Sequence, residues 1–385
     1  MRNSTPVLAL LIAASLAPIS KADGRKQLWN VDLLKLIGQA GDSEAQYVWG
    51  LAFSPDESKL AIGFNYQGRA AASHVIVVSV DHPSAVLRRF DSDHSVGPEA
   101  MELYVRENIQ WSPSGNFLAA YRQVFSVQGE RSCPVPTDFE FGGFLADDRI
   151  VIAKRAFQGL LGPEATNEIQ VRRPDCTVED SWHPQGWFQV RDTCPQAGLL
   201  AIQGNDDSRN TATVETQLVS YPGHLETRHW TWDGELTLGG IILADSCKAI
   251  CSGDGMWKSK ETFHAACWST QSGAKVAEDP KLTLTYHEAF GGSGGPRLAV
   301  TVSHWACRNG KFWQFFDIDG CATPQTHRVL WNIETGQEVL SWPVLNQPLR
   351  IGNRDTSGPF ALALSSTGKF LAEGGAGRVQ LYRVP

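Results

Sequence analysis

The chain has few of the features that mark integral membrane proteins or nucleic-acid-binding proteins. Beyond its N-terminal segment it contains no uninterrupted apolar stretch near the roughly 20 residues that a membrane-spanning helix needs. It has no basic tract and a formal net charge of −7, so it lacks an electrostatic footprint for nucleic acid or an anionic membrane. We therefore predict no nucleic-acid partner and no membrane insertion.

Familiar catalytic and metal-binding patterns are also scarce. The sequence has no Cys-x-x-Cys and no His-Glu-x-x-His, and its ten histidines are scattered along the chain. The glycine- and serine-containing segment 291–295 is interpreted as a flexible turn and not as a nucleophile site. The sequence therefore assigns no catalytic residue, no metal and no cofactor.

The N-terminus has the order of a cleavable signal peptide. A short basic head, residues 1–3, precedes an apolar stretch over residues 7–19 that ends at Ser20-Lys21-Ala22. We predict a signal peptide over residues 1–22 and a single mature domain over residues 23–385. The mature protein is expected to be secreted, in the periplasm or outside the cell.

Repetition is the strongest positive signal in the sequence. Three segments share an alternating strand, a polar turn that begins with Ser, and a second strand that contains Leu-Ala; they are residues 51–63, 109–120 and 362–375. Looser copies cover residues 144–152, 188–202, 241–250 and 289–302. Because Gly and Pro are spread throughout and no long stretch has a 3.6-residue period, the sequence predicts many short strands.

A third strand follows these hairpins and ends in a turn, most clearly in residues 329–340, where Val-Leu-Trp-Asn-Ile leads into Glu-Thr-Gly. With these features the sequence resembles the WD40-like repeat family, in its exported bacterial type, over most of residues 27–385. It departs from the family pattern because none of the seven hairpin copies carries Gly-His, and Trp-Asp is replaced by Trp331-Asn332 and Trp268-Ser269. The family's structural His–Asp hydrogen-bond network is therefore not carried over.

The resemblance implies an all-β fold, a single β-propeller of about seven four-stranded blades. Most second-strand apolar residues recur at intervals of roughly fifty residues, at Leu60, Leu118, Ile150, Leu200, Ile250, Leu298 and Leu371. The interval from Leu118 to Ile150 is shorter, so the second blade has minimal loops or lacks a strand, and six blades are the alternative. Residues 379–384 read as a third strand, and we expect residues 27–37 to supply the fourth and close the ring.

The eight cysteines, an even number in an exported chain, predict disulfides. Placing them on the repeat predicts one bridge inside a blade, Cys251–Cys267, and one inside a long insertion, Cys307–Cys321. Cys194 and Cys247 occupy the same hairpin turn in consecutive copies and are predicted to join adjacent blades. By elimination, Cys133 pairs with Cys176.

Candidate binding residues lie on the long loops, because the blades are scaffold. In a WD40-like ring, the loops between second and third strands share one face with the blade-to-blade connections. The candidates on that loop face are Asp207, Arg209, Trp257, Trp305, Trp313, Arg354 and Asp355. The three tryptophans suit a stacking surface for a glycan or an apolar peptide, but covering neighbouring blades is the commoner fate of such residues.

The leading functional hypothesis is a binding or scaffold module for a protein or small-molecule partner on the loop face of the ring. Two alternatives stay open. One is a periplasmic enzyme or enzyme subunit of propeller type, such as a hydrolase, a lactonase or a dehydrogenase large subunit. The other is a carbohydrate-binding propeller that uses the loop tryptophans.

Overall fold

The computed structural model describes most of the chain, with gaps that fall mainly between strands. The described residues are 24–38, 46–66, 72–92, 109–120, 123–129, 131–154, 167–184, 187–205, 213–233, 241–254, 264–283, 290–304, 325–343, 349–351, 354–356, 361–375 and 377–385.

The first four blades are four-stranded antiparallel sheets in which strands follow each other in chain order. Blade 1 holds β2 (Gln46–Phe53), β3 (Lys59–Tyr66), β4 (Ala72–Ser79) and β5 (Val86–Ser92). Blade 2 holds β6 (Gln110–Trp111), β7 (Phe117–Ala120), β8 (Gln123–Ser126) and β9 (Arg131–Pro134). Blade 3 holds β10 (Phe139–Phe144), β11 (Ile150–Lys154), β12 (Ile169–Arg172) and β13 (Val178–Trp182), and blade 4 holds β14 (Trp187–Cys194), β15 (Leu199–Asn205), β16 (Thr213–Ser220) and β17 (Leu225–Asp233).

Three further blades complete a seven-bladed β-propeller. Blade 5 holds β18 (Ile242–Ala244), β19 (Ala249–Asp254), β20 (His264–Ser269) and β21 (Lys275–Thr283), and blade 6 holds β22 (Phe290–Gly294), β23 (Arg297–His304), β24 (Gln325–Asn332) and β25 (Gln337–Pro343). Blade 7 combines β28 (Leu362–Leu364), β29 (Phe370–Gly374) and β30 (Arg378–Arg383) with β1 (Lys26–Asp32). The described residues also include a short helix, α1 (Leu33–Leu36), a separate hairpin of β26 (Leu349–Ile351) and β27 (Arg354–Thr356), and two single-turn 3₁₀ helices, Ala146–Asp148 and Pro195–Ala197.

Seven apolar clusters, one at each interface between consecutive blades, form the core. Because a blade is covered on both sides, its middle strands are apolar at successive positions. Val75, Ile76, Val77 and Val78 in β4 are all buried, for example. Each blade therefore depends on its two neighbours for the burial of its apolar faces.

The N-terminal strand closes the ring as predicted. β1 pairs antiparallel with β30, from Lys26 opposite Arg383 to Asp32 opposite Arg378. The expected strand over residues 27–37 is too long, however. Asp32 caps helix α1 by accepting a hydrogen bond from the Lys35 backbone N–H, and the chain turns away with Leu33 and Leu34 buried.

The second blade keeps all four strands, so the alternative of six blades is wrong. Its strands are only two to four residues long, and just two residues, 121–122, separate β7 from β8. The short interval between Leu118 and Ile150 therefore reflects minimal loops. Both residues lie on second strands, as do the other five apolar residues that marked the repeat.

The serine that begins the turn explains why three copies of the repeat are sharp. In each of them a buried Ser hydroxyl accepts a hydrogen bond from the backbone N–H five residues later: Lys59 to Ser54, Phe117 to Ser112, and Phe370 to Ser365. The same serine's backbone N–H donates to the carbonyl of that later residue. These two bonds fix the turn between the first and second strands.

Three of the four predicted disulfides are present. Cys251 and Cys267 are directly opposite each other on β19 and β20, with 4.0 Å between their Cα atoms. Cys194–Cys247 joins blades 4 and 5, and Cys133–Cys176 joins blades 2 and 3, with Cα separations of 6.1 and 5.2 Å. The fourth predicted pair, Cys307–Cys321, lies outside the described residues.

Candidate functional site

The innermost strand of each blade faces the axis of the ring and forms the wall of an axial channel. Each of these strands pairs on one side only, so its other backbone edge is turned toward the axis. A cavity of about 760 Å³ lies there, lined by residues from all seven blades. This volume suits a small molecule or a narrow peptide segment.

The channel wall combines apolar side chains with a few polar groups. Its apolar lining includes Leu51, Ile109, Trp111, Ile241 and Leu362. Polar and charged lining comes from Gln110, Arg191, Asp192, Thr193 and Ser293, and at one mouth from Asp147, Gln196 and Ser366. A mixed lining of this kind provides contact area together with orienting hydrogen bonds.

Several of the polar groups on the channel wall hold the blades together. The Asp192 carboxylate in blade 4 accepts a hydrogen bond from the Leu243 backbone N–H in blade 5, at 2.7 Å. The Ser293 hydroxyl of blade 6 donates to the Leu243 carbonyl, at 3.2 Å, and the Trp111 indole donates to Ala52 in blade 1, at 3.0 Å. These inner-strand backbone groups are thereby satisfied by the neighbouring blade.

The two faces of the ring differ in construction. We call the end with the first-to-second and third-to-fourth strand turns the short-turn face, and the opposite end the loop face. Every described turn on the short-turn face has six residues or fewer, whereas every longer connection between blade strands joins strand ends at the loop face. The longest of these, residues 305–324, connects β23 to β24. The long connections, which are the part of a fold that most often carries binding residues, therefore lie at the loop face.

Carboxylates lock neighbouring blades together on the short-turn face. Glu57 of blade 1 accepts hydrogen bonds from the Thr367 backbone N–H (2.6 Å), the Thr367 hydroxyl (3.0 Å) and the Ser366 hydroxyl (3.0 Å) of blade 7. In the same way Asp148 of blade 3 accepts hydrogen bonds from the Ser114 backbone N–H and hydroxyl of blade 2.

Burial and these hydrogen bonds together change the pKa of the Glu57 carboxyl. Burial by itself would raise its pKa, but the hydrogen bonds from Thr367 and Ser366 outweigh burial and lower the pKa below its ordinary value. The carboxylate is therefore charged at neutral pH, and the contact between blades 1 and 7 is charge-assisted.

Most of the predicted binding residues lie outside the described residues: Asp207, Arg209, Trp257, Trp305 and Trp313. Arg354 and Asp355 are the first two residues of β27, in a hairpin that the sequence did not predict. The convergence of these residues on one site remains a prediction. Sequence reasoning did not single out the channel residues Arg191 and Asp192, because an Arg-Asp pair inside a strand has no distinctive spacing.

The segment Gly291-Gly-Ser-Gly-Gly295 matches Gly-x-Ser-x-Gly, but its interpretation as a flexible turn is wrong. Residues 290–294 form β22, the inner strand of blade 6, and Ser293 lies opposite Leu298. The Ser293 hydroxyl donates to the Leu243 carbonyl, so this serine links two blades. It stands in a strand pair and lacks the strand-to-helix elbow that activates such a nucleophile.

Two observations on the described residues concern metals and membranes. No group of three His, Cys, Asp or Glu side chains there is arranged to hold a metal ion, and the sulfurs of Cys247 and Cys251 are both in disulfides. Nor does this part of the chain include a helix with the length and apolar character needed to cross a membrane.

Comparison with known proteins leaves the fold as the firm classification. No family model matches the chain. The curated proteins contain no match either. The molecule is thus defined by its architecture, a seven-bladed β-propeller with disulfides between its blades.

Proposed function

We propose that this protein is an exported, WD40-like propeller that works as a binding or scaffold module, with a protein or small-molecule partner at the axial channel and the loop face. The observation that carries the proposal is the asymmetry of the ring. Hydrogen bonds and disulfides tie the short-turn face together, and the long connections join strand ends at the other face, around a channel of about 760 Å³. A rigid base that presents variable loops is a common construction for recognition.

Export is supported by two separate features. The three disulfides need an oxidising compartment, and the N-terminal residues have the order of a signal peptide. The kinship with WD40-like repeats rests on the Ser-initiated hairpins and the Leu-Trp third strand, whose residues occupy the expected blade positions.

Affinity isolation of the tagged protein from the exported fraction, after chemical cross-linking in intact cells, tests this proposal. Two variants test whether the partner binds in the channel. Gln110→Trp places a large side chain inside the channel, because Gln110 is half-buried on the inner strand β6 and lines the cavity. Gln128→Trp is the matched control, an exposed glutamine in the β8–β9 turn of the same blade that does not line the channel.

We expect one defined protein or small molecule with the parent and with Gln128→Trp, in near-stoichiometric amount, and a clear loss with Gln110→Trp. Equal recovery with all three proteins would show that the channel is not the site. Recovery of no specific partner, together with measured turnover of a substrate by the purified protein, would replace the binding function with an enzymatic one. An absorbing chromophore or stoichiometric metal in the purified protein would point the same way.

A further inference from the structure

The joint between blades 6 and 7 contains a buried charged network. Arg328 on β24 and Glu373 on β29 are side chains of middle strands, and only 2% and 10% of their surfaces are exposed. Arg328 Nη1 donates to Glu373 Oε1 at 2.6 Å, and the Trp342 indole Nε1 donates to the same oxygen at 2.6 Å. One carboxylate oxygen is thus held by two donors from blade 6.

The other Glu373 oxygen is held from outside the two blades, by the segment that precedes β1. Arg25 Nη1 donates to Glu373 Oε2 at 2.9 Å, and only 9% of the Arg25 side chain is exposed. Its guanidinium carbon lies 4.6 Å from the centre of the Trp342 ring and 4.3 Å from that of Tyr382. Arg25 therefore combines a charge-assisted hydrogen bond with two cation–π contacts.

The same N-terminal segment also reaches the next blade around the ring. The Trp29 indole on β1 donates to the Val80 carbonyl of blade 1 at 2.7 Å. The segment consequently contacts blade 6 through Arg25, blade 7 through the pairing of β1 with β30, and blade 1 through Trp29.

From this geometry we propose that Arg25 is a latch for the ring. Pairing of β1 with β30 brings the N-terminus to blade 7, and insertion of Arg25 between Trp342, Tyr382 and Glu373 then fixes the closed joint to blade 6. Ring closure depends on the residues immediately before β1 as well as on the strand itself. Opening is expected to begin at this joint, when Arg25 leaves its pocket.

Hydrogen exchange of the full chain, followed by mass spectrometry, tests the latch. In Arg25→Gln we expect the backbone amides of β1 and β30 to exchange roughly tenfold faster or more, because a buried charge-assisted bond and its stacking contacts are lost. Blades 3, 4 and 5 are expected to exchange at the parent rate. Lys26→Gln is the matched control, since Lys26 is the exposed next residue.

Parent-like exchange of β1 in Arg25→Gln would overturn the proposal. An equal acceleration in all seven blades would also overturn it, since Arg25 would then act on global stability only. If Arg25→Gln does not accumulate, Arg25→Lys decides the question. It keeps the charge but loses the planar stacking, so exchange in β1 and β30 should rise by a smaller factor, and a rate unchanged from the parent would contradict the latch.

Discussion

At the scale of single residues, Glu57 has a strained backbone conformation, and its side chain forms a contact between blades 1 and 7. Its φ is +59°, in the left-handed region, at a turn position where two other copies of the repeat have Gly115 and Gly368. A non-glycine residue in this region costs about 1 kcal/mol or more. The hydrogen bonds from Ser366 and Thr367 to its carboxylate offset that cost.

Two substitutions separate the backbone cost from the carboxylate contact. Glu57→Ala keeps the strained backbone and removes the contact, so we expect the free energy of unfolding to fall by about 1 kcal/mol, a value discounted for solvent exposure. Glu57→Gly also relieves the strain and should lie close to the parent. Chemical denaturation measures both, with Glu334→Ala, at an exposed turn residue of blade 6, as the control. A parent-like Glu57→Ala would show that the contact adds no stability.

The carboxyl of Asp56, the residue before Glu57, is expected to make the stability of the fold depend on pH in the acid range. A hydrogen bond from the Ser54 hydroxyl is the main cause that lowers its pKa from 3.8 to about 2, helped by Ser58 and Lys59. Because the folded-state pKa is depressed, the stabilisation is complete above the ordinary pKa and is lost as pH falls through the folded-state value. Between pH 4 and pH 2 the parent should therefore lose more stability than Asp56→Asn. Parallel acid unfolding curves would contradict this.

At the scale of elements, the closing strand is the piece on which the ring most depends. Deletion of residues 23–38 removes β1, leaving the edge of β30 unpaired and the apolar flank of blade 1 uncovered. We expect the deletion variant to aggregate or fail to accumulate in the exported fraction. Cooperative melting of this variant at the parent temperature, measured by circular dichroism, would show that closure by β1 is unimportant.

The strands were predictable because the sharp copies of the repeat share a serine that fixes the turn between two strands. Ser54, Ser112 and Ser365 fix the same turn by the same hydrogen bonds, so the sharp copies show in the sequence. In blade 6 the inner strand Phe290–Gly294 is rich in glycine, and glycine disfavours strands because of its high chain entropy. The sequence therefore suggested a turn there, and the pairing of this segment with β23 shows that it is a strand. Helix α1 was missed because four residues are too few to show a helical period.

At the scale of the whole molecule, disulfides link blades whose contacts are otherwise non-covalent. We expect Cys194→Ala/Cys247→Ala to lower the free energy of unfolding by about 3 kcal/mol or more, because that bridge closes a long loop of the unfolded chain. Chemical denaturation measures the loss. Cys251→Ala/Cys267→Ala is the comparison, since its bridge spans only 16 residues within one blade and should cost less. A larger loss in the comparison variant would contradict the loop-length argument.

The remaining predicted bridge is open to direct chemistry. Non-reducing peptide mapping of protein from the exported fraction should find Cys307 joined to Cys321. Cys307 joined to any other cysteine would contradict the predicted pair, and eight free thiols would contradict export.

The sequence predicted the propeller fold, but it did not identify a partner. Blade number and ring closure follow from a local pattern that repeats around the ring, and two disulfides follow from the places of their cysteines on it; Cys133–Cys176 was then left by elimination. The channel does not, because its lining is assembled from single residues of seven distant segments, such as Leu51, Gln110, Asp192 and Ser293. The sequence spacing of these residues does not indicate that they line one cavity.

The most direct test of a binding propeller is hydrogen exchange of the protein with and without the partner isolated from the exported fraction. We predict slower exchange in the seven innermost strands, whose backbone edges face the channel, and no change in the outermost strands such as β5, β17 and β21. Slower exchange confined to the outermost strands, or none in the innermost strands, would contradict binding at the channel.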